Sequence, residues 1–424
     1  MPRWWIALGL LPLLGQACSS SNAALDAGGE PGPDVVAPDG GLDGVAPDAG
    51  LDAVVGDSGR DAADARPTDA SPTDSSVGDV SLKPICQGVM PENYTGGPPA
   101  ADSFIVDSVV ELKWKDLQVA DADAGNAFPS AAWQPLDNAL ADANVHGVRL
   151  RVMAGIDSPP FVKSLGGYAV SGTYNGTPID CSAGGIAVVD PQNGASGCVP
   201  AFWTTPVLDV YGQLLAHMAT SYGSNPKFRE VADSACMTVY AEPFVRGHGE
   251  PGTVARLYQA GFDITKDQAC ESAVVTMFQG LAPAFAGTRL SLALNPWDEV
   301  LTDGGFTTSW NATYNFVTSQ RRILGPLLAL QINHLNPGYV CNGGSPSSDE
   351  ACFMGTVEPP KGAQTWAWSR LAGTGDGGGA LDDSLQRGVA LGFDFVEVPP
   401  EYTQTDPTAL HALHDALVAN DAGP

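Results

Sequence analysis

With 424 residues, the chain is long enough for two average domains or for one large barrel with appendages. Its 20 Lys and Arg against 48 Asp and Glu leave a formal net charge of −28, which argues against nucleic acid and anionic membrane surfaces as partners. Much of that charge lies near the N-terminus, so it describes a tail more than a folded surface.

The first residues read as an export signal. Arg3 supplies a positive start, residues 4–14 an apolar core, and Gly15-Gln16-Ala17-Cys18 a cleavage site. The apolar run is shorter than the ~20 residues a helix needs to cross a bilayer. The stretch resembles a bacterial lipoprotein signal, which implies that Cys18 is the lipidated first residue of the mature chain. Plain secretion, with Cys18 an incidental thiol, is the alternative. Residues 19–81 are built from Asp, Ala, Gly, Pro, Ser and Val and bury too little apolar surface to offset chain entropy, so a disordered acidic linker is expected. The expected organisation is a signal over 1–18, a linker over 19–81 and a folded domain over 82–424.

Besides Cys18 there are Cys86, Cys181, Cys198, Cys236, Cys270, Cys341 and Cys352. In an exported protein these suggest disulfides. Cys181–Cys198 and Cys341–Cys352 are the expected pairs, each pinning a Gly/Ser/Asn-rich loop; Cys236–Cys270 is a further option, leaving Cys86 over. No Cys-x-x-Cys spacing supports zinc.

Within the domain, strands are expected over 105–114, 148–155, 236–242, 288–296, 326–334, 364–368 and 393–398. Helices are expected over 133–144, 206–224, 271–281, 311–324, 381–391 and 407–418, with a disulfide-pinned insertion over 168–200. Strands alternating with helices indicate a parallel sheet. Six or seven such units fit an elaborated (β/α)8 TIM-barrel better than an open nucleotide-binding sheet, and no glycine-rich phosphate loop follows any strand.

In such a barrel the carboxyl ends of the strands converge on one face. Here they carry Glu242, Asn295 with Trp297 and Asp298, Asn333 with His334, Trp366, and Glu397. Tyr240 and Gln364 stand beside them. Carboxylates for proton transfer, amides for hydroxyls and indoles for pyranose faces suit a carbohydrate. Glu242, partly buried beside Tyr240 and Phe244, would have a raised pKa suited to a general acid. Alternation places Arg149 and Arg151 on one face of their strand and Glu111 and Lys113 on one face of the preceding strand. A barrel strand is covered on both sides, so these charges must pair or line the cleft. Arg151 is therefore expected either to position Glu242 or substrate, or to belong to a structural ion-pair layer.

Residues 110–118, the Trp133 helix and residues 148–161, ending Ser158-Pro159-Pro160-Phe161, resemble the clan A glycoside hydrolases, in particular family 42 β-galactosidase-like members. Tyr222-Gly223-Ser224-Asn225-Pro226 followed by Ala241-Glu242-Pro243 resembles that clan's fourth-strand region. The resemblance implies that Glu242 is the general acid/base. Two positions depart from the pattern: Ala241 replaces the asparagine that precedes the acid, and residues 363–368 hold no seventh-strand glutamate. Glu397, with Glu358 behind it, is the expected partner carboxylate. Arg151, Tyr240, Asn295, Trp297, Asp298, Asn333, His334, Gln364 and Trp366 are the expected substrate contacts. The reading is an envelope-anchored or secreted hydrolase of oligo- or polysaccharides, needing no cofactor or metal and touching a membrane only through Cys18. A carbohydrate-binding or adhesion protein on a degenerate barrel is the alternative.

Overall fold

The computed structural model describes residues 81–93, 102–191, 194–239, 245, 250–294, 296–373 and 377–421. The export signal, Cys18 and all but the last residue of the acidic segment lie outside them.

Eight parallel strands form the centre: β1 (Gly88–Pro91), β2 (Asp107–Lys113), β3 (Gly147–Met153), β4 (Phe228–Ala232), β5 (Arg289–Leu294), β6 (Leu328–Leu335), β7 (Lys361–Thr365) and β8 (Phe395–Val398). Their order is β1-β8-β7-β6-β5-β4-β3-β2, so each strand from β2 to β8 lies beside its sequence neighbours and β1 returns to β8. β1 meets β8 with Gly88 opposite Phe395, and β2 meets β3 with Asp107 opposite Gly147. At the remaining seam Gln87 N–H donates to Asp107 Oδ2 at 2.9 Å, and Cys86, Met90, Val109 and Phe395 form a small buried cluster. The result is a nearly closed (β/α)8 barrel, as expected.

The helices lie outside it because each carries an apolar stripe toward the strands. The six longest are α1 (Ser130–Ala141), α2 (Thr205–Tyr222), α3 (Ile264–Phe285), α4 (Trp310–Leu324), α5 (Gly377–Ala390) and α6 (Pro407–Asp421). On α2 the buried residues Val207, Val210, Tyr211, Leu214, Leu215 and Met218 follow the three- and four-residue spacing. Asp263 starts α3 by accepting from Lys266 N–H, and Ser309 starts α4 by accepting from Ala312 N–H. Gly362 allows β7 to approach β8: a Cβ there would lie 2.4 Å from the Phe395 ring.

All three disulfides are present, Cys181–Cys198, Cys236–Cys270 and Cys341–Cys352, and Cys86 is buried and free. The first pins an insertion made of two small sheets between β3 and α2.

Two expectations are corrected. The fourth strand is Phe228–Ala232, two residues after Asn225-Pro226, and the described part of the expected strand, residues 236–239, is not in the sheet; Cys236 is instead held to Cys270 on α3. Trp297 does not end a barrel strand. It opens an antiparallel pairing of Trp297–Val300 with Phe306–Ser309, in which Asp298 lies opposite Thr308.

Candidate active site

Side chains on alternate positions of β2, β3 and β8 point into the barrel, and here they are charged where such an interior is ordinarily filled by branched aliphatics. Arg149 Nη1 donates to Glu230 Oε2 at 3.1 Å and its Nη2 to Ser291 Oγ at 2.6 Å, while its Nε is ion-paired with Glu397 Oε1 at 3.0 Å. Arg151, one step nearer the carboxyl ends, is bound to Glu397 Oε2 and donates to Glu111 Oε2 at 3.5 Å and to Gln364 Oε1 at 3.4 Å. The Gln364 amide in turn donates to Glu92 Oε1 at 2.7 Å. The array therefore runs from Glu230 inside the barrel to Glu92 at the end of β1.

Glu92 extends the sheet as well, its N–H donating to Val398 O at 3.0 Å. Burial pushes its carboxyl up to about 7; Arg151 and Gln364 oppose the shift, and Glu397 and Glu111 add to it. The cause is visible in the charges. Within this array four carboxyl groups, Glu92, Glu111, Glu230 and Glu397, face two guanidinium groups, and the Gln364 amide bridges Glu92 to Arg151.

The expected site residues fall into three groups. Arg151 and Gln364 are at the centre of the array. Glu397 is 0% exposed and ion-paired on both oxygens, so the expected partner carboxylate is closed off from solvent, and this placement corrects it as a group that meets substrate. Asn333 and His334 lie partly exposed on β6, and His334 Nε2 is 2.8 Å from Glu350 Oε2. Trp366 follows β7, but the Arg370 guanidinium stacks 3.7 Å from its ring centre and occupies that face. Trp297 is 1% exposed against Phe316, a core residue rather than a sugar platform. Glu242, Tyr240 and Asn295 lie outside the described residues, and of Asp298 only the backbone pairing above is described. Glu358 has its carbonyl bound by Arg321 on the exterior. Lys113, although it alternates with Glu111, turns outward toward Asp157 at 3.8 Å. Among the described residues no group of three or more His, Cys, Asp or Glu could hold a metal ion.

Glu92 was not among the residues expected from the sequence. Its strand is only four residues long, and Gln87-Gly88-Val89-Met90-Pro91 carries the glycine and proline of a loop. The usable signal was the acid directly after Pro91.

No family profile and no curated protein matches the chain. Among solved structures, it is similar to endo-glycoceramidase II from Rhodococcus sp., at 11% identity and a TM-score of 0.39 over 80% of each chain. It is also similar to the β-mannanase of the blue mussel Mytilus edulis, at 12% identity and a TM-score of 0.40, over 80% of this chain and 91% of that one. The carboxyl transferase domain of Rhizobium etli pyruvate carboxylase matches at 9% identity and a TM-score of 0.31, over 79% and 47%. Glycoside hydrolases are among the neighbours, beside a carboxyl transferase domain. Function has to be argued from the side chains.

Proposed function

We propose that the protein is a glycoside hydrolase that cleaves oligo- or polysaccharides at the carboxyl ends of its barrel strands. The observation that supports this is Glu92: an acid holding its proton near neutral pH, partly exposed at the end of β1 and linked through Gln364 to Arg151. Two-carboxylate hydrolysis needs one carboxyl that arrives protonated and one that arrives ionised. Glu92 fits the first role, donating its proton to the leaving oxygen as the glycosidic C–O bond breaks. Glu111, partly exposed and paired with Arg151, fits the second, as nucleophile or as base toward water. Glu397 is a positioning residue beneath them, fixing Arg149 and Arg151. Glu242, the acid/base implied by the resemblance, competes with Glu92 for the first role.

The test is hydrolysis of aryl glycosides by the wild type and by Glu92→Gln, Glu111→Gln and Glu242→Gln. Glu92→Gln is expected to lose 10²- to 10⁴-fold in kcat, about the range of general acid catalysis, and to lose the fall in rate above pH ~7 that marks deprotonation of the acid. Full activity in Glu92→Gln with none in Glu242→Gln transfers the role to Glu242.

A second reading, carbohydrate binding without cleavage, is favoured by the double ion pairing of Glu397 and by the covered face of Trp366. It predicts sugar binding with no turnover in any variant. Under either reading the domain works in the cell envelope, carried by the acidic segment on a lipid at Cys18, or is secreted. Cys18→Ser then moves the protein from the membrane fraction to the soluble fraction, and an unchanged distribution rejects the anchor.

A further inference from the structure

The rim around Glu92 and Glu111 carries cations of its own. Two positions beyond Gln364, Trp366 continues β7 toward the carboxyl ends, its N–H donating to Leu335 O at 3.1 Å. The short helix Trp368–Ala372 then sets Arg370 over it, 3.7 Å from the indole ring centre. Stacking fixes the plane of a guanidinium and leaves the N–H groups along its edge able to donate. Arg149, Arg151, Arg229 and Arg256 direct those donors at carboxylates, and Arg289 and Arg321 direct theirs at backbone carbonyls. Arg370 is exposed, and among the described residues no carboxylate or carbonyl receives its guanidinium.

A second group of cations stands where β2 and β3 end. Lys115 and Lys113 both pair with Asp157, at 2.7 and 3.8 Å, and both side chains stay substantially exposed. Lys163 donates to Ile156 O at 2.6 Å on the same rim, and burial, followed by the Lys115 charge, lowers its pKa. In a chain of net charge −28, cations gathered at one face mark where an anion can approach. In the barrel order β8 and β1 lie between β7 and β2. The Arg370 stack and the lysines therefore stand on either side of Glu92, and Lys113 is two positions beyond Glu111 on β2. A saccharide laid from one to the other crosses both carboxyl groups. A neutral sugar gains little from such cations, whereas an anionic group meets a guanidinium edge with charge-assisted hydrogen bonds.

We propose that the saccharide taken by this face is acidic, with an anionic group on one unit held by the edge of Arg370 and another, across the scissile bond, drawn to Lys113 and Lys115. The inference rests on the saccharide reading above, and its test is a binding measurement that does not depend on hydrolysis. The probes are β-1,4-linked tetramers of glucuronate, of 6-sulfated glucose and of glucose, which differ only at C6, titrated into the full chain by calorimetry. One of the anionic tetramers is expected to bind roughly 10-fold tighter than the neutral one, the gain of one charge-assisted hydrogen bond. Which of the two binds tighter shows whether the group is a carboxylate or a sulfate. Arg370→Gln is expected to remove most of that preference and, because it uncovers the Trp366 ring, to leave binding of the glucose tetramer no weaker. Adding Lys113→Gln and Lys115→Gln is expected to remove the rest. Equal binding of the three tetramers, a full preference in Arg370→Gln, or no binding of either anionic tetramer overturns the proposal. An anionic tetramer bound with this preference but never cleaved rejects the hydrolase reading alone; cleavage of the glucose tetramer without any preference rejects this proposal alone.

Discussion

At the residue scale the protein turns on how six side chains share charge inside a barrel. Glu397 is bound on both sides, by Arg149 and Arg151, with no exposed surface. Replacing one partner of a buried pair leaves uncompensated charge behind, so Glu397→Gln is expected to cost about 3–5 kcal/mol in urea unfolding. An unchanged midpoint shows that the guanidinium groups find other acceptors. Much of this array was legible in the sequence. Two arginines two positions apart in a strand covered on both faces have to point inward together, and an inward arginine has to pair. The identity of the exposed acid was not legible, because it follows a strand of four residues whose partner, β8, is some 300 residues away.

At the element scale, β4 shows why the strongest apolar run is not always the strand. Residues 236–242 look like a buried strand, whereas Phe228-Arg229-Glu230-Val231-Ala232 looks too charged. Yet Glu230 takes Arg149 inside the barrel, and Arg229 Nη1 donates to Asp107 Oδ2 at 2.8 Å near the amino ends of the strands. Those charges are the reason the strand lies where it does.

Asp233, just past β4, is fully buried beside Glu271 of α3, with Tyr211 of α2 nearby. Burial pushes Asp233 up to about 7, and burial together with Asp233 and Asp267 pushes Glu271 well above the carboxylate range. The folded chain thus keeps protons that the unfolded chain releases. Their stabilising effect is complete below pH ~4 and is lost as pH rises through about 7. Asp233→Asn should accordingly raise Tm by several degrees at pH 8 and leave it nearly unchanged at pH 4. Equal shifts at both pH values show that the effect is packing, not titration. His414 works in the opposite direction. Its Nδ1 accepts from Val89 N–H at 3.0 Å and burial lowers its pKa, so its contribution is present above the ordinary histidine range and lost as pH falls through the lowered value. Thermal melts of His414→Gln against pH separate the two.

At the scale of the whole molecule, the alternation of strands and helices made the barrel readable from sequence, because each unit repeats the same local pattern and packs against the next. What that pattern cannot convey is closure. The geometry that completes the ring depends on contacts between distant parts of the chain, β1 with β8.

That dependence has a consequence for how the protein is made. β1 emerges from the ribosome before the other seven strands, yet its backbone ladder is with β8, Gly88 with Phe395 through Pro91 with Val398, and His414 of α6 binds Val89. A strand whose ladder partner lies some 300 residues further on waits without it while they are made, exposing an edge that invites association with other chains. Ending the chain at residue 392 removes β8 and α6 together. Such a truncation is expected to aggregate, while chains from which only residues 422–424 are missing elute as the full chain does, as size-exclusion chromatography can show. Residues 393–421 thus close the ring, and Glu92 reaches its place only when they do.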